Sequence, residues 1–180
     1  LTQMHDLKKI EIDPDHPDWL IYDDCLYHKE LNKLCVVPAK VSHTALHFKD
    51  GIESIDAFAI FNVESLKEIV IPDNIKRIEY NSISDCANLE YLVLPKKCSF
   101  NVLSIVNCPS LKYVHIPYQS PYPNNILDSP RNIKAIYLTV DTEDSFPINI
   151  KGIFERLDTE SVLPAFFLNS KESKIVNYGD

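Results

Sequence analysis

Glycine is scarce in this sequence, with three residues in 180 at positions 51, 152 and 179, against twelve prolines. A phosphate-binding loop needs several closely spaced glycines, and tight two-residue hairpin turns favour glycine in the left-handed backbone conformation. Both features are therefore unexpected, and we expect Pro, Asn, Asp and Ser to make the turns. No Gly-x-Ser-x-Gly sequence is present to indicate a nucleophilic serine. These absences argue against an enzyme, and no catalytic residue is predicted.

Basic clusters and long apolar runs are also missing. The formal net charge is −8 and no run of Lys or Arg interrupts it, so the phosphate backbone of a nucleic acid is a poor partner. No stretch approaches the roughly 20 apolar residues of a membrane helix, so no membrane span is predicted. Residues 1–9 lack the basic-then-apolar pattern of a signal peptide, but the first residue is not Met, which leaves a removed leader or an upstream segment open.

Ligands for a metal or cofactor are not grouped in the sequence. The five cysteines include no Cys-x-x-Cys pair, and the six histidines show no i, i+4 pairing on a helix and no cysteine at ligand spacing. The acidic run at residues 13–18 lacks the turn glycine of a calcium loop and is more typical of a solvated loop. The sequence therefore predicts no metal site and no cofactor.

An internal repeat has a period of 22 or 23 residues. Four similar segments begin at Leu66, Leu89, Leu111 and Ile133, at intervals of 23, 22 and 22 residues. Each has apolar residues at its first, fourth and sixth positions, and Pro follows in three of them. The alternation predicts a short β-strand with one face in a core. A fixed period of this length is typical of a solenoid, whose stacked turns share one core.

The repeat also covers the segment before each strand. A small residue, Ile and then Cys or Val three places later recur in copies that begin at Ala59, Ser82 and Ser104. Cys86 and Cys108 take the same position in adjacent turns, 22 residues apart. We expect them to be buried thiols in a packing ladder, with a disulfide or a metal site as the alternatives.

Two earlier turns are less regular. The segment that begins at Leu46 aligns with the segment that begins at Ile69, and residues 7–12 resemble another strand start. The interval from Ile10 to Leu46 is 36 residues rather than 23, and the surplus predicts an inserted β-hairpin near residues 20–38.

Cys25 and Cys35 fall on the two arms of this predicted hairpin. With a turn centred near Glu30 and Leu31, the two cysteines are diagonal rather than opposite. Free thiols are favoured, and a Cys25–Cys35 disulfide stays open.

The template Leu-x-x-Ile-x-Ile-Pro followed by Ala/Ser-Ile-x-x-Cys-x-x-Leu resembles the BspA-like class of leucine-rich repeats, found on bacterial and some protozoan surface proteins. The resemblance covers roughly Leu7 to Leu138. Within it, the Cys25-Leu26-Tyr27 segment looks like the Asp-Gly-Val-Leu-Tyr insertion of that family, with Asp24 in place of Gly and Cys25 in place of Val. The resemblance implies a non-enzymatic cell-surface or extracellular protein that engages other proteins or host matrix, and it supplies no catalytic residues.

These observations predict a leucine-rich-repeat solenoid over residues 1–138. About six short parallel β-strands are expected to stack on one concave face, with irregular or 3-10 turns opposite and one inserted β-hairpin. Residues 139–180 depart from the repeat and predict a C-terminal cap or tail packed on the last repeat. A short helix near 152–157 and a strand near 165–168 are expected within it.

The outward-facing side chains of the repeat strands are the predicted partner-binding surface. They become aromatic in the last three turns, and Tyr offers a large contact area at low entropy cost. The predicted residues are His47, Glu68, Tyr91, Val93, Tyr113, His115 and Tyr137. The alternative is that these tyrosines occupy exposed strand positions because of their high strand propensity, or pack beneath the C-terminal tail.

Three functions fit this sequence. The first is a protein-interaction module of a surface or secreted protein, with a role in adhesion, that binds another protein or a host macromolecule through its concave sheet. The second is a structural spacer or stalk segment of a larger surface protein. The third is a carbohydrate-binding surface, because exposed Tyr rings stack on sugars.

Overall fold

The structure, a computed structural model, describes residues 5–117, 135–140, 165–169 and 175–177. All of the regular secondary structure within these ranges is β-strand, and no helix occurs there. The strands are β1 (Trp19–Tyr22), β2 (Cys25–His28), β3 (Lys33–Val36), β4 (Ala45–Leu46), β5 (Ser54–Ile55), β6 (Ile60–Phe61), β7 (Glu68–Val70), β8 (Arg77–Ile78), β9 (Ile83–Ser84), β10 (Tyr91–Val93), β11 (Ser99–Phe100), β12 (Ile105–Val106), β13 (Tyr113–Pro117), β14 (Ala135–Val140), β15 (Ala165–Asn169) and β16 (Ile175–Asn177).

The strands form a solenoid with three sheets. Each complete coil passes through a six-stranded sheet (β1-β2-β3-β5-β8-β11), then a three-stranded sheet (β12-β9-β6), then a seven-stranded sheet (β16-β15-β14-β13-β10-β7-β4). The seven-stranded sheet, called the main sheet below, carries the predicted repeat strands. Its strands pair in parallel from β4 to β15, and β16 pairs antiparallel with β15. The leucine-rich-repeat solenoid expected from the sequence is confirmed.

Opposite the main sheet the structure is more regular than the expected irregular or 3-10 turns. Two-residue strands stack there in parallel, as in the pairing of Ile105 with Ile83 and of Phe100 with Ile78. These strands form because one Ile or Phe per strand is buried and repeats at the same position in each coil. The coil therefore has a strand on each of three faces.

Two backbone positions in every complete coil adopt the left-handed conformation. The first set is Phe58, Asn81 and Leu103, with φ of 57°, 50° and 54°. The second set is Asn62, Asp85 and Asn107, with φ of 54°, 56° and 50°. Asn and Asp tolerate this conformation better than other non-glycine residues. Asn and Asp therefore occupy most of these left-handed positions in place of glycine, as expected for the turns.

The core is a stack of equivalent side chains from successive coils. Ile69 pairs in register with Leu92, and Leu92 pairs with Val114, and all three are almost fully buried. Buried Ser82 and Ser104 sit at the small position of the repeat, where each hydroxyl donates to the carbonyl oxygen three residues earlier. Each coil therefore buries its apolar face against its neighbours. The hydroxyl groups of Ser82 and Ser104 are hydrogen-bonded although they are buried.

The inserted hairpin is β2 and β3, and β1 adds a third antiparallel strand that was not expected. Strand β3 pairs in parallel with β5, so the insertion extends the six-stranded sheet at its N-terminal end. Tyr27 of β2 is 1% exposed and lies in the core, where its hydroxyl accepts a hydrogen bond from the Lys49 amide at 3.4 Å. The insertion thus covers the first coil.

The N-terminal segment does not follow the expected repeat. Residues 7–12 form no strand, and the Leu7 carbonyl oxygen accepts a hydrogen bond from the Lys40 amide at 2.9 Å. The strand expected near 165–168 is present as β15, while the helix expected near 152–157 lies outside the described residues.

Candidate binding surface

Strand alternation on the main sheet leaves two rows of outward-facing positions. The first, called the tyrosine row, consists of Ala45, Glu68, Tyr91, Tyr113 and Ala135, which are consecutive partners in the strand register. The second, called the valine–histidine row, consists of Val70, Val93, His115 and Tyr137. The intervening residues Ile69, Leu92 and Val114 face the core, so the two rows share one side of the sheet.

Tyr91 and Tyr113 stack on each other in the tyrosine row. Their ring centroids are 4.7 Å apart and their planes are inclined by 19°. This spacing matches the roughly 4.8 Å between neighbouring strands, so the rings follow the strand ladder. Tyr91 remains 47% exposed, whereas Tyr113 is half-buried. The pair is therefore a stacked aromatic surface that is open at Tyr91.

Beside the tyrosines runs an apolar strip formed by the valine–histidine row. Val70 is 47% exposed, and Val93 and His115 are half-buried. Burial lowers the pKa of His115 below its ordinary value of 6.5, so this imidazole is neutral at neutral pH. At pH 7 the strip next to the tyrosines therefore carries no charge from His115.

Charged residues lie beside the aromatic and valine positions in the described strands. Glu68 is exposed and lies next to Tyr91 in the tyrosine row. Glu90 and Lys112, which precede the two tyrosine strands, form an ion pair at 3.0 Å. A neutral aromatic and aliphatic patch with charged residues beside it suits a partner that buries apolar groups.

The structure separates some of the residues that the sequence grouped. Tyr137 pairs in register with His115 and Ala135 pairs with Tyr113, so by register Tyr137 belongs to the valine–histidine row. The Tyr137 side chain lies outside the described part of the structure. Val70 was missing from the predicted set, although its position two residues after Glu68 signals the same outward face.

His47 lies apart from the aromatic patch. It follows β4 at the far end of the main sheet, and its Nδ1 is 3.3 Å from Asp23 Oδ2 in the β1–β2 turn. His43 also approaches Asp23 and Asp24, at 3.6 and 3.4 Å. These contacts join the hairpin insertion to the segment around β4, so His47 has a structural contact that the sequence did not reveal.

The described residues contain neither a disulfide nor a cluster of metal ligands. All five cysteines are free. Leu26 is opposite Val36 and Tyr27 is opposite Leu34, so Cys35 falls in a bulge and does not face Cys25. Among the residues that the structure describes, no three His, Cys, Asp or Glu side chains are placed to hold a metal ion. The same residues include no helix long and apolar enough to cross a membrane.

Two solved structures are similar to this chain. One is a leucine rich cell surface protein from Faecalibacterium prausnitzii, with 20% identity, a TM-score of 0.60, and coverage of 69% of this chain and 34% of that one. The other is the pneumococcal vaccine antigen PcpA, with 15% identity, a TM-score of 0.53, and coverage of 73% and 39%. The chain thus spans little more than a third of the length of either protein. At these identities the likeness concerns the fold.

The family comparison is more specific. The BspA type Leucine rich repeat region matches residues 39–142 in six copies, which is more than half of the chain. The match begins after the hairpin insertion, so it is shorter at the N-terminus than the expected resemblance from Leu7. Curated proteins give no match. On its repeats and on its fold, this chain belongs to the BspA-type leucine-rich-repeat family.

Proposed function

We propose that this chain is a non-enzymatic interaction module of a surface or secreted protein, and that it binds a protein partner through the outward face of its main sheet. The observation that carries the proposal is the stacked Tyr91–Tyr113 pair beside Val70. Aromatic side chains that are already held in place lose little entropy on binding, which is a property of interface hot spots.

The family and the structural neighbours support the same proposal. Leucine-rich repeats present one extended face of a solenoid to their partners. One of the two similar structures is described as a cell surface protein and the other as a vaccine antigen. A surface location also agrees with a role in adhesion to host proteins or matrix, which is the first function expected from the sequence.

The test is a comparison of binding by three forms of the chain. The wild type, the Tyr91→Ala/Tyr113→Ala variant and a Tyr80→Ala control are each applied to immobilised extracellular-matrix proteins and to epithelial-cell surface extract. Tyr80 is a matched control because it is 51% exposed and lies off the main sheet. Circular dichroism establishes that the three forms are equally folded.

We expect the double variant to bind its best ligand roughly 30-fold more weakly, as for the loss of a hot spot worth about 2 kcal/mol. The control should bind like the wild type. Equal binding by all three forms, or no saturable binding by the wild type, would overturn the proposal in favour of a structural spacer. Saturable binding that is released by free sugars and lost on deglycosylation of the ligand would indicate the carbohydrate-binding alternative.

A further inference from the structure

Cys86 and Cys108 occupy the same position in consecutive coils. Each lies two residues after a strand of the three-stranded sheet, and those strands pair as Val106 with Ser84. Both thiols turn the same way, because Cys86 Sγ and Cys108 Sγ each lie 3.5 Å from the carbonyl oxygen two residues earlier. The ladder of thiols expected from the sequence is thus formed by two neighbouring side chains with one orientation.

The two thiols are also neighbours across paired strands. The influence of each thiol on the other raises the pKa of Cys86, where burial adds to it, and lowers the pKa of Cys108. Neighbouring strands are about 4.8 Å apart, which falls within the roughly 4.4–6.8 Å between Cα atoms that a disulfide requires. Cys25 and Cys35 lack this arrangement because the bulge removes Cys35 from the position opposite Cys25.

Access differs between the two cysteines. Cys86 is fully buried, with a second contact to the Ile60 carbonyl oxygen at 3.7 Å. Cys108 is half-buried and follows β12, the last strand of the three-stranded sheet in the described part of the chain. A reagent in solution therefore reaches Cys108 first, and Cys86 lies behind it.

We propose that Cys86 and Cys108 are a redox-responsive pair, in which a small-molecule disulfide such as oxidised glutathione converts the two thiols into a disulfide that links consecutive coils. The Cys108 thiolate attacks one sulfur of the reagent, the S–S bond of the reagent breaks, and one glutathione leaves as a thiolate that takes up the proton of Cys108. The Cys86 sulfur then attacks the Cys108 sulfur and loses its proton to the second glutathione as it leaves. The protein loses two electrons and two protons, and the reagent gains them.

This inference is independent of the proposed binding function, because the pair lies off the main sheet. The experiment incubates the purified chain with oxidised glutathione at pH 8 and at low protein concentration, followed by peptide mapping without reduction. We expect a linked peptide pair that contains Cys86 and Cys108 and that dithiothreitol separates. We also expect a rise of about 5–10 °C in Tm, since the new bond closes a loop in the unfolded chain.

Two variants divide the reaction into its steps. Cys86→Val keeps the core filled, because Val63 occupies this position one coil earlier. It should stop at a glutathione adduct on Cys108. Cys108→Ser should leave Cys86 unmodified in the folded protein. Cys35, which is half-buried and has no thiol opposite it, is the internal control and should form no protein disulfide.

Three results would overturn the proposal. One is a wild-type protein in which Cys108 retains its adduct and no linked peptide forms, which would make the pair a packing ladder only. Another is a linkage of Cys108 to a different cysteine. The third is a Cys86–Cys108 linkage that forms only after the chain is unfolded in guanidinium chloride.

Discussion

Leu103 holds the left-handed backbone conformation that Asn81 holds one coil earlier, with φ of 54° and 50°. The Asn81 amide donates a hydrogen bond of 2.8 Å to the Leu103 carbonyl oxygen, so the two turns stack directly. A left-handed conformation costs a residue such as Leu roughly 1–2 kcal/mol, and Asn tolerates it better. The stacking of the coils imposes the conformation on Leu103 in spite of this cost.

Leu103→Asn should therefore stabilise the protein. The Leu103 side chain is 43% exposed, so little apolar burial is lost, and we expect the free energy of unfolding to rise by about 0.5–1 kcal/mol. Urea denaturation followed by circular dichroism measures the change. Val102→Asn is the control, because the Val102 side chain is 58% exposed and the φ of Val102 is not positive. A Leu103→Asn variant no more stable than the control would show that the turn relaxes locally.

Ile69 and Val70 are adjacent in β7 but belong to opposite faces of the main sheet. Ile69 is fully buried, whereas Val70 is 47% exposed. We expect Ile69→Ala to lower the free energy of unfolding by about 2–5 kcal/mol and Val70→Ala to change it by less than about 0.5 kcal/mol. Chemical denaturation of both variants measures the difference. Equal losses would mean that Val70 is covered in solution.

His115 should make stability depend on pH. Burial lowers its pKa in the folded protein, so the unfolded chain takes up this proton at a higher pH than the folded chain does. The contribution is present above the ordinary pKa of 6.5 and is lost as the pH falls through the folded pKa. The urea midpoint should fall from pH 7.5 to pH 5.5, and by less in His115→Gln. Identical pH dependence in both proteins would exclude His115 as the source.

Cys25 and Cys98 should resist alkylation until the protein unfolds. Burial raises the pKa of each thiol from 9.0 to about 12, with Asp23 and Asp24 adding to the effect at Cys25. Three pKa units lower the thiolate fraction at pH 8 by about 1000-fold, and the thiolate is the reactive form. Timed iodoacetamide labelling with mass spectrometry should show slow modification in buffer and rapid modification in guanidinium chloride. Rapid labelling in buffer would indicate local opening of the coils.

The repeat predicted the main sheet well because the period of the chain and the alternation within each strand report the same buried face. Ile69, Leu92 and Val114 recur at the intervals that the structure converts into stacked core positions. The prediction of a strand at residues 7–12 was wrong, because apolar alternation does not reveal whether a neighbouring strand is available to pair. Strand β1 was missed for the complementary reason, since it pairs with a hairpin that the repeat does not include.

The candidate surface could be predicted only in part. Alternation correctly placed Tyr91 and Tyr113 at equivalent outward positions, and their stacking follows from the strand spacing. The alignment of the repeat that begins at Ile133 with the repeat that begins at Leu111 also places Tyr137 at the position of His115, and the strand register agrees. The contact of His47 with Asp23 joins segments 24 residues apart and has no local signal.

The equivalence of Asn81 and Leu103 has a consequence for the gene as well as for the fold. Removal of residues 82–103 would join Asn81 to Ser104. This junction resembles the existing one, because Asn81 and Leu103 share the left-handed conformation and a serine follows each of them. The deletion would take one strand from each of the three sheets, namely β9, β10 and β11, and would bring β7 beside β13. Since each coil contacts only its neighbours, recombination between copies can shorten or lengthen the array by whole coils, about 4.8 Å at a time.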